Sequence, residues 1–185
     1  MTNISFRQTN DESLPFSDQS FDLETCKHAV MLFADVEMGL REIRRVPKRG
    51  LRAVFTAQGL PEENLWQSCI MRVFNKYLAV SHPAPGTPHP HRFAHTGTLS
   101  KALREAGFNQ VEEESPTLPW NWHGTPEEFW ESRRNQGALF ARLVERLDPE
   151  QRDDVLAEVV ESIREYYDGQ QGSFTTRIVL ASAVR

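Results

Sequence analysis

A cysteine, a lysine and a histidine follow a short apolar stretch, and side chains of these types can carry chemistry. The stretch SFDLETC, from Ser20 to Cys26, has the length and composition of a β-strand. Lys27 and His28 therefore come at the C-terminal end of a strand, where open α/β sheets bind their ligands. His28 titrates near neutral pH and can act as a general base on an acceptor hydroxyl or amine. The alternative is that His28 is an ordinary histidine of a loop or helix end.

The elements after this strand form a strand–helix–strand pattern. Asp35 is a suitable N-cap for a helix whose apolar residues fall at helical spacing: Val36, Leu40, Ile43 and Val46. The run from Arg52 to Ala57 then predicts a second strand, which Gly59 ends. Two strands joined through a helix indicate a right-handed βαβ unit in a mostly parallel sheet.

Caps and periodicity mark the remaining elements. Further strands are predicted at Ile4–Gln8, at Val111–Glu114 with Pro116 and Pro119 ending it, and at Ser173–Ala181. Helices are predicted at Pro61–Val80, after a cap at Thr98, and after the cap-and-proline pairs that begin at Thr125 and Asp148. Strands and helices in this order are typical of an α/β domain.

Several of these pieces together are similar to a known family. The segments LPFSDQSFDLETC, REIRRVPKRG and LREAGF (residues 103–108) resemble, in order and spacing, class I S-adenosylmethionine-dependent methyltransferases of the ubiquinone/menaquinone-biosynthesis subgroup. The resemblance implies an α/β fold with a partial Rossmann-like methyltransferase sheet, containing the family's strands 3, 4, 5, 6 and 7, and an inserted helical lid. It implies a single domain over residues 1–185, with core segments 1–59, 98–118 and 173–185 and lid segments 60–97 and 120–170.

The same resemblance implies where S-adenosylmethionine and a substrate would lie. The adenine-side loop corresponds to Asn10, Asp11 and Glu12, for which a solvated turn is the alternative, and Cys26 falls near the cofactor. His28 falls near the entrance to the substrate. Side chains of the lid over the acceptor correspond to four residues, for which core packing is the alternative: Trp66, Met71, Trp122 and Trp130.

One part of the family pattern has no counterpart in the 185 residues. They contain no G-x-G-x-x-G or G-x-G-x-G turn, which brings the backbone close to the cofactor, and no candidate acid for its ribose hydroxyls. We therefore expect an N-terminally truncated family member that binds S-adenosylmethionine weakly by itself. Two functions stay open: a methyltransferase-like protein with an unknown small-molecule acceptor, and a non-catalytic binding or dimerisation module derived from a methyltransferase.

The truncation would leave the strand from Phe21 to Cys26 at an edge of the sheet. An unpaired apolar edge strand promotes association with another chain. We expect this edge to pair in a homodimer, or with a second polypeptide that supplies the missing half.

Composition and histidine spacing exclude several other classes. The net charge of −5 argues against nucleic-acid and anionic-membrane partners, and no apolar run spans a bilayer. The two cysteines, with no secretory signal, predict reduced thiols in a cytoplasmic protein. The proline-rich loop His82–Thr98 contains His82, His89, His91 and His95, but it lacks the spacing and the cysteine partners of a zinc motif. We therefore predict no metal and expect this loop to shape a substrate mouth.

Overall fold

Strands and helices alternate through much of the chain, as the sequence predicts. The computed structural model describes residues 3–80, 83–84, 86–136 and 138–185. Over these residues the strands are β1 (Glu24–Lys27), β2 (Arg52–Gln58), β3 (Asn109–Glu114), β4 (Thr117–Trp122) and β5 (Gly172–Val184). The α-helices are α1 (Val36–Arg45), α2 (Leu65–Tyr77), α3 (Thr98–Glu105), α4 (Pro126–Gln136), α5 (Ala138–Glu145) and α6 (Arg152–Arg164). None of these helices has the length and apolar character that crossing a membrane requires.

The chain is divided into two compact units. The first unit contains β1, α1, β2, α3, β3 and the last part of β5, from Ile178. The second unit contains α2, β4, α4, α5, α6 and the first part of β5, up to Arg177. A hydrophobic core of its own lies in each unit.

The first unit is organised by a mixed sheet with the strand order β1-β2-β5-β3. β1 runs parallel to β2, with Cys26 opposite Phe55, and α1 connects them as the sequence predicts. β5 is antiparallel to β2, with Ala181 opposite Phe55, and β3 is antiparallel to β5. A mixed sheet with helices between its strands is an α/β arrangement, so the α/β fold class that the resemblance implies is confirmed.

Alternating burial explains why β2 lies inside the sheet. Ala53, Phe55 and Ala57 are buried at every second position and face the core of the first unit. α1 covers that core with Leu40 and Ile43, and its first turn is capped because Asp35 accepts a hydrogen bond from the Met38 amide at 2.9 Å.

The strand expected at Ile4–Gln8 is absent from the structure. These residues have no strand pairing, and the Phe6 side chain is 95% exposed. An alternating pattern forms a strand only where a neighbouring strand accepts its backbone hydrogen bonds, and none of the described strands does so here. β1 also begins later than expected, at Glu24 rather than Phe21, because Phe21 forms an isolated bridge with Pro47.

Two predictions were wrong, one about a proline that ends a strand and one about a helix cap. Pro119 lies within β4, opposite Thr175 of β5, rather than ending a strand. β4 has only β5 as a neighbour among the described strands, and a proline is tolerated where no second ladder needs its missing N–H. At α3 the N-cap is Gly97, with φ of 87°, and the Thr98 hydroxyl instead donates to the His95 carbonyl at 2.6 Å.

The second unit packs helices around a core rich in aromatic rings. Phe129 and Phe174 stack with their centroids 4.7 Å apart, and both are buried. The capping box predicted at Thr125 is present: the Thr125 amide donates to Glu128 at 2.8 Å, and the Glu128 amide donates to the Thr125 hydroxyl at 3.2 Å. The helix expected after Asp148 begins only at Arg152.

Candidate functional site

The backbone at the end of β1 is held by the end of β2. The His28 amide donates both to the Thr56 carbonyl and to the Thr56 hydroxyl, each at 3.0 Å. His28 has a φ of 50°, which is uncommon for a residue with a side chain. These contacts fix the turn in which the chain leaves the strand and so determine where the imidazole lies.

The His28 imidazole is half-buried and favours its neutral form. Burial, and then the positive charge of Lys27, lower its pKa. Its Nδ1 atom is buried without a hydrogen-bond partner among the described residues. A neutral imidazole can accept a proton, so the protonation state fits the general base that the sequence suggests.

The thiol of Cys26 stays protonated. Cys26 is buried in the core of the first unit, and this burial, with smaller effects of Glu24 and Asp11, raises its pKa to about 11. The thiolate is the reactive form of cysteine, so Cys26 is a poor nucleophile near neutral pH. Its contribution at this strand end is apolar packing.

A half-buried acid in β1 was missed by the sequence analysis. Glu24 lies two residues before Cys26 and therefore on the same side of the strand. Burial raises the pKa of Glu24 to about 7, and its Oε2 atom has no partner among the described residues. The sequence feature that could have indicated this group is a charged residue, Glu24, inside a predicted strand that contains Phe21, Leu23 and Cys26.

The loop Asn10–Glu12 packs against the start of α1. The Asn10 side chain accepts from the Glu12 amide at 3.1 Å, so it closes its own turn. Glu12 in turn accepts from the Asp35 amide at 3.3 Å. Asp11 Oδ2 is buried without a partner among the described residues, and a side chain on Gly39 would approach it to 3.4 Å. Asp11 is therefore the unsatisfied acceptor of this loop.

A second link between the family-like segments was also missed. Arg45 of α1 donates to the carbonyls of Leu14 and Phe16 at 3.0 and 2.7 Å, and Glu42 accepts from the Leu14 amide at 2.9 Å. Arg45 also pairs with Glu42 at 2.8 Å. The helix thus holds the end of the loop that contains Asp11.

The four side chains assigned to the lid lie in the second unit. Trp66 and Trp122 are half-buried, and Trp66 makes an edge contact with Trp120 at 5.6 Å. Met71 is half-buried against the core, and Trp130 is buried between Phe74 and Phe140. Trp130 and Met71 are therefore placed for packing, whereas Trp66 and Trp122 also reach the surface.

Trp66 and Trp122 share a neighbour that the sequence analysis did not single out. The Arg133 guanidinium lies 5.0–6.0 Å from the centroids of four rings: Trp66, Trp120, Trp122 and Phe129. We refer to these five residues as the Arg133 cage. The signals were the spacing of Trp120 and Trp122 in a strand and of Phe129 and Arg133 in a helix, each of which places two side chains on one face.

The histidine loop is fixed by hydrogen bonds. The His91 ring lies 2.7 Å from the Gly59 carbonyl through Nδ1, and the His89 amide donates to the Met31 carbonyl at 3.2 Å. Burial, and then His91 and Arg92, lower the pKa of His89. Over the part of the chain that the structure describes, no group of three or more metal-ligating side chains comes together. His82 lies outside that part, and His95 is exposed.

Comparison with known proteins agrees with this architecture. Residues 1–55 match the family described as "Methyltransferase domain". The uncharacterized methyltransferase YcgJ of Bacillus subtilis is 43% identical over 61 residues, which are 33% of this chain and 24% of YcgJ. A demethylmenaquinone methyltransferase of Alkalihalophilus pseudofirmus is 27% identical over 121 residues, or 60% of this chain and 51% of that protein.

The fold comparison extends over nearly the whole chain. The crystal structure of YcgJ superposes with a TM-score of 0.53 at 21% identity and covers 99% of this chain and 71% of that one. The chain spans about half or less of the length of these curated relatives. The chain is thus similar to methyltransferases: residues 1–55 match their domain, and the Rossmann-like fold is that of YcgJ.

Proposed function

We propose that this chain is a methyltransferase-type protein that acts on a small organic acceptor and does not bind S-adenosylmethionine tightly by itself. The observation that carries the proposal is that the match at residues 1–55 includes both the loop of Asp11 and the strand end of His28. These are the two places at which the family resemblance implies cofactor and substrate contacts.

The residues present do not fit the whole cofactor. On the favourable side, Asp11 Oδ2 is a buried acceptor without a partner among the described residues, suited to an amine donor such as that of adenine. Against it, the Asn10 side chain closes its own turn, and the 185 residues supply no glycine-rich turn for the rest of the cofactor. We therefore derive no catalytic step through S-adenosylmethionine in this chain alone.

Calorimetry tests this part of the proposal. The 185-residue chain is titrated with S-adenosylmethionine and with S-adenosylhomocysteine. We expect no saturation in the micromolar range, because these 185 residues contain no glycine-rich turn to hold the cofactor. Binding with a micromolar dissociation constant to the chain alone would contradict the proposal.

His28 is the catalytic residue that we propose for the complete transfer site. Its neutral ring can hold the proton that leaves an acceptor hydroxyl or amine, and its backbone is fixed by Thr56. An active assembly is needed to test this role. There His28→Gln should lower kcat and remove the acid limb of the pH–rate profile, whereas an unchanged profile would exclude a base at this position.

The exposed edge of β1 is the proposed place for a second chain. β1 pairs only with β2 among the described strands, and Leu23 beside it is 61% exposed. A strand of a second copy, or of a polypeptide that supplies the missing half, can add to such an edge through backbone hydrogen bonds. Light scattering after gel filtration should show a dimer that Leu23→Lys weakens, and a monomer at high concentration would exclude self-association.

The alternative function is a non-catalytic binding or dimerisation module. Cys26 is a buried, protonated thiol, and the 185 residues contain no glycine-rich turn. Both observations favour this alternative, because a binding module needs neither a reactive thiolate nor a bound cofactor. The two functions differ in one measurement. A second polypeptide that carries the glycine-rich turn is added, and binding of S-adenosylmethionine is measured. If the chain is part of a methyltransferase, the cofactor should bind to the assembly; if it is a binding module, the cofactor should not bind.

A further inference from the structure

The Arg133 cage combines a permanent positive charge with four aromatic rings. The guanidinium carbon lies 5.0 Å from the centroid of Trp120, 5.5 Å from Phe129, 5.9 Å from Trp122 and 6.0 Å from Trp66. The rings come from α2, β4 and α4, so the fold of the second unit assembles the arrangement. Phe129 is fully buried at its base, whereas Arg133 and the three tryptophans are half-exposed. The cage is therefore partly open to solvent on the side of the tryptophans and Arg133.

The charge of Arg133 is not balanced by a neighbouring acid. Its terminal nitrogen donates to the Ser132 hydroxyl at 3.0 Å and to the Gln136 side-chain oxygen at 2.7 Å. The Nε atom of Arg133 is buried without an acceptor, and the Arg133 side chain forms no ion pair with any residue that the structure describes. The adjacent Arg134 differs, because it pairs with Glu131 at 2.8 Å.

A second donor in the same cage is also unsatisfied. Trp122 Nε1 is buried and has no acceptor among the described residues. A buried donor without a partner costs roughly 1–3 kcal/mol, and more when the group is charged. Burial also lowers the pKa of Arg133, which reflects its partial loss of water. An acceptor group that came with a ligand would remove part of this cost.

We propose that the Arg133 cage binds a small planar organic anion, with an aromatic carboxylate as the ligand class. The carboxylate would accept a charge-assisted hydrogen bond from Nη1 of the guanidinium, since Nη2 already donates to Ser132 and Gln136 and Nε is buried. The ring of the ligand would lie against the tryptophans, which offer apolar faces and edges at stacking distance. A cationic ligand is disfavoured, because Arg133 already occupies the region between the rings with a like charge.

This inference deepens the proposed function, because the ligand would be the acceptor of that protein or an analogue of it. It rests on the proposed function only for that assignment. Binding at the cage needs neither the cofactor nor transfer chemistry, so the two proposals can fail separately.

The first test compares three probes on the 185-residue chain by isothermal titration calorimetry. They are 2-naphthoate, its neutral analogue 2-naphthamide, and cyclohexanecarboxylate, which has the charge without the aromatic ring. We expect 2-naphthoate to bind about tenfold or more tightly than either control, because only it uses both the charge and the rings. Equal binding of 2-naphthoate and 2-naphthamide, or no saturation by 2-naphthoate at millimolar concentration, would overturn the proposal.

The second test assigns the preference to one residue. Arg133→Gln should reduce the affinity for 2-naphthoate about tenfold and leave that for 2-naphthamide unchanged, so that the preference disappears. Arg134→Gln on the same helix is the matched control and should leave both affinities within about twofold. Melting curves of both variants accompany the titrations. If Arg133 only stabilises the fold, Arg133→Gln will lower the melting temperature while the preference for the anion persists, which would also overturn the proposal.

Failure of these tests would leave the S-adenosylmethionine proposal intact, since that proposal is tested by titrating the cofactor and not by binding at the cage. Success here, with no cofactor binding in any assembly, would instead support the module that binds without catalysis.

Discussion

The end of β1 and the Arg133 cage bury ionisable groups in opposite ways. At the end of β1, burial favours the uncharged form of each group: it raises the pKa of Glu24 to about 7, keeps Cys26 a thiol, and lowers the pKa of His28. In the cage, the guanidinium of Arg133 keeps its charge despite partial burial. Neutral groups suit proton transfer and packing, whereas a retained charge among aromatic rings suits recognition of an anion.

The stability of the second unit should depend most strongly on Phe129, the buried ring of the Arg133 cage. Phe129 is fully buried, stacks on Phe174 at 4.7 Å and lies beside the Arg133 guanidinium. Phe129→Ala should lower the free energy of unfolding by about 3–5 kcal/mol, because it leaves a cavity in the core. Urea denaturation followed by tryptophan fluorescence measures the loss. Leu118→Ala on exposed β4 is the control and should change the stability by less than about 0.5 kcal/mol; equal losses would mean that the aromatic core does not dominate this unit.

The raised pKa of Glu24 in β1 should make the stability of the protein depend on pH. The native pKa of Glu24 is raised from 4.5 to about 7, so the folded state holds the proton more tightly than the unfolded state. The resulting stability is full below pH 4.5 and is lost as the pH rises through about 7. Because part of the side chain meets solvent, we expect a loss of about 1–2 kcal/mol rather than the full shift.

Glu24→Gln, which cannot ionise, should remove this pH dependence. Denaturant unfolding at pH 5 and pH 8 measures the pH dependence of the free energy of unfolding. Glu114→Gln, at an exposed position of β3, controls for the loss of one negative charge. If both variants keep the wild-type pH profile, Glu24 is not the group that titrates.

The fold was predictable because its signals are local. Strand and helix periodicity, the cap at Asp35 and the capping box at Thr125 all appear in short stretches of sequence and are present in the structure. The exceptions depend on neighbours that the sequence does not name. Ile4–Gln8 alternates without a partner strand, and Pro119 is tolerated because β4 pairs on one side only among the described strands.

The candidate sites were less predictable because they depend on tertiary burial. The sequence indicates that His28 ends a strand, but the lowered pKa follows from the residues that cover it. The Arg133 cage draws on residues that are up to 67 positions apart, from Trp66 to Arg133. Helix and strand spacing can pair Phe129 with Arg133 and Trp120 with Trp122, but only packing brings the pairs together.

The helix that holds Arg133 should lose stability when its cap is removed. The Thr125 hydroxyl accepts from the Glu128 amide at 3.2 Å at the start of α4. Thr125→Ala should lower the free energy of unfolding by about 1 kcal/mol, since one end-of-helix donor loses its acceptor. Thr98→Ala is the comparison: Thr98 also opens a helix, but Gly97 is the N-cap there, so the substitution removes an exposed hydrogen bond to the His95 carbonyl and no helix cap. A loss at Thr98 as large as that at Thr125 would show that the capping geometry is not what matters.

The smallest effect is expected where the end of β1 is attached to β2. Thr56→Val keeps the shape of the side chain and removes the hydroxyl that accepts from the His28 amide, while the Thr56 carbonyl at 3.0 Å remains as an acceptor. Because the amide keeps one partner, the free energy of unfolding should fall by only about 0.5 kcal/mol. Hydrogen exchange at the His28 amide should accelerate more than at its neighbours, whereas Thr25→Val, on the exposed side of β1, should leave it unchanged. If exchange at His28 is unaffected by Thr56→Val, the turn is held by the backbone alone, and the position of the imidazole does not depend on this hydroxyl.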